Sequence, residues 1–189
     1  LDPKPNETIL DMTCSPGGKL SHISQLMKNQ GRVIGVDRNR QKIDTAMEIC
    51  ARMGCSNVTL FVHDSRYLDS DFPSLRPDKI LVDPPCSALG IMPKVYEHTT
   101  TSEIEALARY QKQFLSAASE IVKPEGKIVY SVCTLSVQEC EENVAYAEEA
   151  WNLSIEEQSP KLGEHGIPIE GKLTERCQRF HPHKNDAGY

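Results

Sequence analysis

The chain has 189 residues, a length that fits one domain with a core large enough for stability. Its hydrophobic content of 39% and charged content of 25% are ordinary for a globular protein, and no apolar run approaches the ~18 residues of a membrane span. The formal net charge of -6 has the wrong sign for a domain-wide nucleic-acid footprint, so any such partner would need a local basic patch or an added module.

The cysteine content argues against a secreted or zinc-ribbon protein. There are seven cysteines, an odd number, and none forms a CxxC pair. No signal peptide is visible. We therefore expect a reducing compartment, the cytoplasm, or the nucleus or nucleolus in a eukaryote. The chain starts at Leu1 and runs directly into a strand signal, which predicts a fragment of a larger protein.

The first half of the chain alternates strand and helix signals. A strand over residues 8–13 is followed by a glycine-containing turn at 14–19 and a helix that stops near Gly31. A second strand at 32–37 precedes a helix that runs to Gly54. Further strands are predicted at 57–62 and 78–82.

The second half continues the alternation. Apolar residues at helical spacing predict a helix over 102–122, and a strand follows at 127–132. A helix over 136–150 begins with the capping-box pattern Ser136-Val-Gln-Glu139. Residues 151–157 are a candidate sixth strand, and 158–171 read as loop. The alternation predicts an α/β fold with a doubly wound, mostly parallel sheet and helices on both faces.

Two of the strand signals lead to a cysteine. Cys86 follows the fourth strand and Cys133 follows the fifth, 47 positions later (133 minus 86). A helical crossover between them makes the strands parallel, so both thiols are expected at the carboxyl edge of one sheet. Ligands bind at that edge in open α/β sheets.

The turn after the first strand and the acids after the next strands suggest a nucleoside pocket. The turn is neither G-x-G-x-x-G nor a Walker loop, but it brings backbone and a helix N-terminus close to a ligand. Asp37 ends the second strand, where it can accept both ribose hydroxyls, and Asp64 can meet an adenine amino group. With Asp11 and Asp83, four successive strands have an acid at or near their ends. Together they indicate an adenosyl pocket.

The segment Asp83-Pro-Pro-Cys86 separates three interpretations. Amino methyltransferases usually have an aromatic residue after Asp-Pro-Pro, to stack on the target base. DNA cytosine methyltransferases use a Pro-Cys here but do not need a second cysteine on the next strand. This chain has that second cysteine, Cys133.

On these motifs the chain resembles the Nop/Sun (RsmB-like) family of S-adenosylmethionine-dependent RNA cytosine-5 methyltransferases. The likeness covers nearly all 189 residues. It includes the cofactor motif at 11–19, the Asp-x-Pro-Cys motif at 83–87, the nucleophile motif at 131–134 with 141–144, and the closing segments 179–183 and 188–189. Thr13-Cys14 stands where the family commonly has cysteine-alanine, and Pro84 where alanine is frequent.

The resemblance implies a Rossmann-like class I methyltransferase fold, and the chain length predicts a single catalytic domain over residues 1–189. No metal is expected, because His181 and His183 have no further ligands at suitable spacing. The resemblance makes Cys133 the nucleophile and Cys86 the residue that helps to resolve the adduct. Our hypothesis for Asp83, held protonated or bonded to the ring N3 and amino edge, is that it stabilises the adduct and selects cytosine. The residues implied for S-adenosylmethionine are Thr13, Cys14, Ser15, Pro16, Gly17, Gly18, Lys19, Asp37, Asp64 and Asp83.

The implied chemistry explains the need for two thiols. Carbon 5 of cytosine is a poor nucleophile until a thiolate adds to carbon 6 and turns the ring into an enamine. After methylation, the proton at carbon 5 must be removed before the enzyme can leave, and this step needs a base.

The implied substrate is tRNA or rRNA with the target base single-stranded or flipped out. Lys19, Lys94 and Arg179 are the candidate RNA contacts, and the other basic candidates are Arg38, Arg40, Arg176 and Lys184. Two alternatives stay open: a DNA cytosine-5 methyltransferase with Cys86 as nucleophile, and a non-catalytic adenosyl-binding RNA assembly factor.

Overall fold

The computed structural model describes residues 1–92 and 96–185. Within them the chain forms two compact units. The first contains Leu1–Pro84 and Phe114–Ser131, and the second contains Pro85–Gln113 and the described part of the segment that begins at Val132. No helix in these described ranges is both long enough and apolar enough to cross a bilayer.

The first unit is built on a five-stranded parallel sheet. Its strands are β1 (Thr8–Asp11), β2 (Arg32–Asp37), β3 (Val58–Val62), β4 (Lys79–Val82) and β5 (Lys127–Tyr130). Their order in the sheet is β3-β2-β1-β4-β5. The chain winds outward from β1 through β2 to β3, and then returns to β4 and β5 on the other side. This confirms the predicted doubly wound sheet. The order reverses between β1 and β4, the place where open α/β sheets bind ligands.

The helices follow the predicted alternation. The longer ones are α1 (Gly18–Leu26), α2 (Arg40–Arg52), α4 (Thr101–Ile121) and α5 (Glu141–Ala150), and the single-turn ones are α3 (Leu68–Asp71) and α6 (Pro182–Asn185). Short 3₁₀ turns lie at Ser65–Tyr67 and Thr174–Arg176. α4 begins in the second unit and ends in the first.

Consecutive residues of β1 and β4 are buried, as expected for parallel strands that are covered on both faces. One core cluster joins Ile9 and Leu81 of the sheet to Leu20 and Ile23 of α1 and to Ile43 of α2. The apolar residues at helical spacing in α1 and α2 therefore anchor both helices against the strands. This packing fixes the position of the turn between β1 and α1.

Three of the predicted elements differ from the structure. Residues 151–157 are not a strand, although Trp151, Leu153 and Ile155 alternate in burial with their neighbours, because the segment has no ladder partner in the described chain. The helix predicted from residue 136 begins at Glu141, after hydrogen-bonded turns. The predicted loop at 158–171 contains β6 (Glu164–His165), which pairs antiparallel with β7 (Gln178–Arg179) in the second unit.

Candidate active site

The predicted cofactor turn lies between β1 and α1 in the first unit. Gly17 has φ +110°, and a Cβ there would lie 3.1 Å from the Cα of Ala46, so a side chain would be both strained and crowded. A Cβ at Gly18 would meet nothing within 4 Å, so the backbone faces open space at the start of α1. Cys14, within the turn, is buried in the core cluster and contributes packing.

Asp37 is the last residue of β2 and Asp64 follows β3, as predicted. The Asp37 carboxylate accepts the Asn39 N–H at 2.9 Å and is partly exposed. Asp64 is more engaged, because Arg66 binds its carboxylate through Nε and Nη2 at 2.6–3.2 Å. This bond to Arg66 holds the pKa of Asp64 below its usual range. A ligand that contacts Asp64 therefore meets an acid that is already paired.

Asp11 is fully buried beneath the turn, where its carboxylate accepts the Thr13 N–H at 3.1 Å. Burial raises its pKa to about 7, against the opposing effect of the Thr13 bond. Because the unfolded chain loses this proton near pH 4, the folded state holds one more proton between pH ~4 and ~7. Stability contributed by Asp11 is therefore lost as the pH rises through that window.

Replacing this acid with its neutral isostere tests the argument. We expect Asp11→Asn to keep the Thr13 bond and to gain stability over the unsubstituted protein, by at most ~4 kcal/mol at pH 8 and ~2 kcal/mol less at pH 5. Urea unfolding at the two pH values measures the difference. Asp44→Asn, at an exposed position on α2, is the control and should show no such pH dependence. An equal effect of Asp11→Asn at both pH values would contradict the burial argument.

Asp83 follows β4 and pairs with the predicted cofactor lysine. Lys19 Nζ lies 2.6 Å from Asp83 Oδ2, and Ser131 donates its hydroxyl to Oδ1 at 3.2 Å. The Thr13 hydroxyl donates to the Asp83 carbonyl at 2.8 Å. The structure thus joins three of the predicted residues around the ligand edge of the sheet in the first unit.

The second unit brings the two predicted cysteines into contact. Their Sγ atoms are 3.0 Å apart, and both are half-buried free thiols. Burial, followed by the hydrogen bond to Cys133, raises the pKa of Cys86 to about 12. Cys86 is therefore held as a thiol at neutral pH. Two thiols at this separation can act on neighbouring atoms of one substrate.

A surface cavity of about 700 Å³ opens beside Cys86 in the second unit. The rings of Tyr96 and His98 stack at its wall with centroids 6.1 Å apart, and Tyr96 is 77% exposed. A cavity with stacked aromatic rings can hold a planar base. Its lining is Cys86, Ser87, Tyr96, Glu97, His98, Thr99, Glu103, Ala106 and Leu107.

Glu139 is a site residue that the sequence interpretation missed. It is completely buried and accepts hydrogen bonds from Ser87, which follows Cys86, and from Gln111 of α4. The sequence signal was the capping-box pattern, which assigned Glu139 to a helix start. Ser136 does exchange hydrogen bonds with Glu139, but the carboxylate also reaches the cysteine-bearing loops.

The predicted RNA contacts differ in exposure and in pairing. Arg179 is 8% exposed and its guanidinium binds Glu141, so little of its surface is available for the RNA contact predicted for it. Lys19 is exposed but pairs with Asp83. Lys94 and the motif residues 188–189 lie outside the described residues. Among the other candidates, Arg40 pairs with Asp44, Lys184 with Glu164, and Arg176 donates to the Ile155 carbonyl.

Comparison with known proteins identifies the family. The family model described as "16S rRNA methyltransferase RsmB/F" matches residues 1–188. A tRNA (cytosine(72)-C(5))-methyltransferase of Pyrococcus horikoshii is 41% identical over 98% of this chain, which spans 46% of that protein. The human protein NSUN6, with the same enzyme name, is 34% identical over 96% of the chain and 42% of its own length. The chain thus spans about half the length of these relatives.

Solved structures agree with this assignment. The structure of NSun6 from Pyrococcus horikoshii with SFG has a TM-score of 0.87 at 42% identity, over 97% of this chain and 46% of that one. An O-methyltransferase of Thermotoga maritima, at 16% identity and a TM-score of 0.58, shares the Rossmann-like fold alone. The likeness to the family therefore extends from sequence motifs to the sheet and its connections, and the chain belongs to the 16S rRNA methyltransferase RsmB/F family.

Proposed function

We propose that this chain transfers a methyl group from S-adenosylmethionine to carbon 5 of cytosine in tRNA or rRNA. The observation that carries the proposal is the contact between two free thiols, Cys86 and Cys133, 3.0 Å apart. One thiol suffices to activate the ring, so a second in contact with it fits a reaction that also needs a base for release. The relatives, which are named as tRNA and rRNA cytosine-C5 methyltransferases, support RNA as the substrate.

The first unit has the features to hold S-adenosylmethionine. Gly17 and Gly18 let the start of α1 approach a ligand, and the Asp37 carboxylate at the end of β2 offers acceptors for ribose hydroxyls. Asp64 is proposed for the adenine amino group, next to its Arg66 pair. The SFG ligand in the NSun6 structure, an analogue of the cofactor, supports this use of the fold. When bound, the cofactor supplies an electrophilic methyl group.

The cysteines take unequal roles in the proposed reaction. Cys133 gives its proton to water, and its thiolate forms a bond from Sγ to carbon 6 of cytosine while the electron pair of the C5–C6 double bond becomes available at carbon 5 for the methyl group. Once carbon 5 carries the methyl group, Cys86 gives its own proton to water, and its thiolate takes the proton from carbon 5. The electron pair of that C–H bond re-forms the ring double bond. The bond from carbon 6 to Sγ breaks, and Cys133 leaves as thiolate.

The same arrangement suggests how Cys86 changes between steps. Part of the rise in the Cys86 pKa comes from its hydrogen bond to Cys133. That part is removed when the Cys133 sulfur is bonded to the base. Adduct formation therefore makes Cys86 easier to deprotonate at the stage where a base is needed.

Asp83 and Lys19 are proposed for cytosine selection and RNA contact. The Asp83 carboxylate can accept the amino hydrogen of cytosine, which uracil lacks, while Lys19 and Ser131 fix its orientation. A base inside a duplex cannot reach a thiol, so the target is single-stranded or flipped out. The exposed Tyr96 ring at the Cys86 cavity is suited to stacking on such a base.

The test is a methyl-transfer assay with tRNA, an rRNA fragment and DNA of matched sequence. The protein is incubated with S-adenosylmethionine labelled in the methyl group, and the products are digested to nucleosides. We expect label in 5-methylcytidine from RNA and none in DNA nucleosides. Label in 5-methyldeoxycytidine would favour the DNA enzyme, and cofactor binding without transfer to any RNA would favour the assembly factor.

A further inference from the structure

The second unit contains a buried carboxylate with four hydrogen-bond donors. Oε1 of Glu139 accepts the main-chain N–H of Ser87 at 2.9 Å and Nε2 of Gln111 at 2.8 Å. Oε2 accepts the hydroxyls of Ser87 and Ser136, the latter at 2.8 Å. The residue is 0% exposed. Both oxygens are thus used by the protein itself.

Three of these donors come from the two loops that carry the cysteines: two from Ser87 and one from Ser136. Ser87 directly follows Cys86, and its hydroxyl also lies 2.7 Å from the hydroxyl of Thr134, which directly follows Cys133. Gly90 in the first loop donates its N–H to the Cys133 carbonyl at 3.0 Å. The Glu139 carboxylate therefore lies at the junction of the two loops.

A third element supports the junction. Gln111 of α4 donates from Nε2 to the Pro85 carbonyl at 3.0 Å as well as to Glu139. Its own amide oxygen accepts from Asn143 of α5 at 2.9 Å. The first cysteine loop is thus held by hydrogen bonds from α4 and to Glu139.

A buried carboxylate such as that of Glu139 lowers the free energy of unfolding unless its hydrogen bonds compensate for its removal from water. Removing its charge from water costs several kcal/mol, and a well-packed apolar side chain of similar volume is often as stable. An apolar residue, however, cannot accept four hydrogen bonds from two loops and a helix. The carboxylate therefore fits a position at which the geometry of the two cysteine loops matters more than the free energy of folding.

We propose that Glu139 is a positioning residue that holds the Cys86 and Cys133 loops together and so sets the separation of the two thiols. The relevance of this separation to methyl transfer rests on the proposed function. The positioning itself does not, because it concerns two thiols and one carboxylate of the unliganded chain.

Thiol pairing measures the positioning directly. In a buffer of reduced and oxidised glutathione, the Cys86 and Cys133 thiols are oxidised to a disulfide while one oxidised glutathione is reduced to two thiols. Mass spectrometry of the linked peptide gives the equilibrium constant. Because the constant reports how well the fold brings the sulfurs together, it does not follow global stability in a folded variant.

We expect this constant to fall by ~10-fold in Glu139→Gln and by ~100-fold in Glu139→Ala, since misplacement of ~1 Å can cost that much in a proximity-dependent reaction. Glutamine keeps the shape of the side chain and one acceptor oxygen, so the constant should fall less in Glu139→Gln than in Glu139→Ala. The control is Glu142→Gln, an exposed acid three residues along, which should leave the constant unchanged. Methyl transfer should fall in parallel through kcat, with S-adenosylmethionine affinity unchanged.

A constant that stays at the original value in folded Glu139→Gln would overturn the positioning role. If Glu139→Ala does not fold, Ser87→Ala replaces it, because it removes the hydroxyl that joins Glu139 to Thr134. An unchanged constant in Ser87→Ala would count equally against the proposal. Because the measurement uses no RNA, it tests the positioning role of Glu139 even if the proposed function is wrong.

Discussion

Replacing Cys133 with alanine is expected to abolish methyl transfer, whereas replacing Cys86 is expected to trap RNA on the protein. Without the Cys133 sulfur no bond to carbon 6 can form, and the rate should fall by at least ~10³-fold, as for other lost nucleophiles. Without Cys86 the attack still occurs, but the proton at carbon 5 is not removed and the carbon–sulfur bond persists. The two half-buried thiols are in contact, and this geometry alone does not distinguish their roles. Unequal effects of the two substitutions would therefore assign the attack to Cys133 and the release to Cys86.

Denaturing gels with end-labelled RNA measure both effects. A slowly migrating protein–RNA band should accumulate with Cys86→Ala, stay faint with the unsubstituted protein, and be absent from Cys133→Ala and from the double variant. Cys55→Ala, a half-buried thiol in the first unit, is the matched control and should retain turnover. Methylation by Cys133→Ala would refute the nucleophile assignment. Full turnover by Cys86→Ala without a trapped band would remove its release role.

The parallel sheet and its ligand edge were predictable because their signals are local. Runs of aliphatic residues, glycine turns and helical spacing each lie within a few positions of the chain, and they placed β1 to β5 in the right order of strand and helix. The resemblance to the family then assigned roles to Cys86 and Cys133, and the structure places their sulfurs in contact.

The interactions that support the site were not predictable because they join distant positions. Nothing near Glu139 in sequence shows that Ser87, 52 positions away, donates to it. Arg179 likewise reads as a surface cation until its partner Glu141, 38 positions away, is known. The prediction of a strand at 151–157 was wrong for a similar reason. The alternation of residues there is typical of a strand, but a strand also requires a hydrogen-bonded partner strand.

Removing the charge of Arg179 should destabilise the protein more than any surface substitution. Its guanidinium pairs with both oxygens of Glu141, and the two side chains are 8% and 1% exposed. It also donates to the Leu135 carbonyl at 3.0 Å. Arg179→Met would leave the Glu141 carboxylate buried without its counter-charge, a change that costs ~3–5 kcal/mol. Chemical denaturation at pH 7 followed by circular dichroism measures this loss.

The control for this prediction is the exposed pair between Lys184 and Glu164, whose side chains are 51% and 44% exposed. Lys184→Ala should cost less than ~1 kcal/mol, because solvent screens a surface ion pair. Combining Arg179→Met with Glu141→Gln removes both charges, and the amide oxygen can still accept the Ile167 N–H. The double variant should therefore be more stable than Arg179→Met alone. If Arg179→Met lowers the free energy of unfolding no more than Lys184→Ala does, the buried pair does not stabilise the contact between β7 and the start of α5.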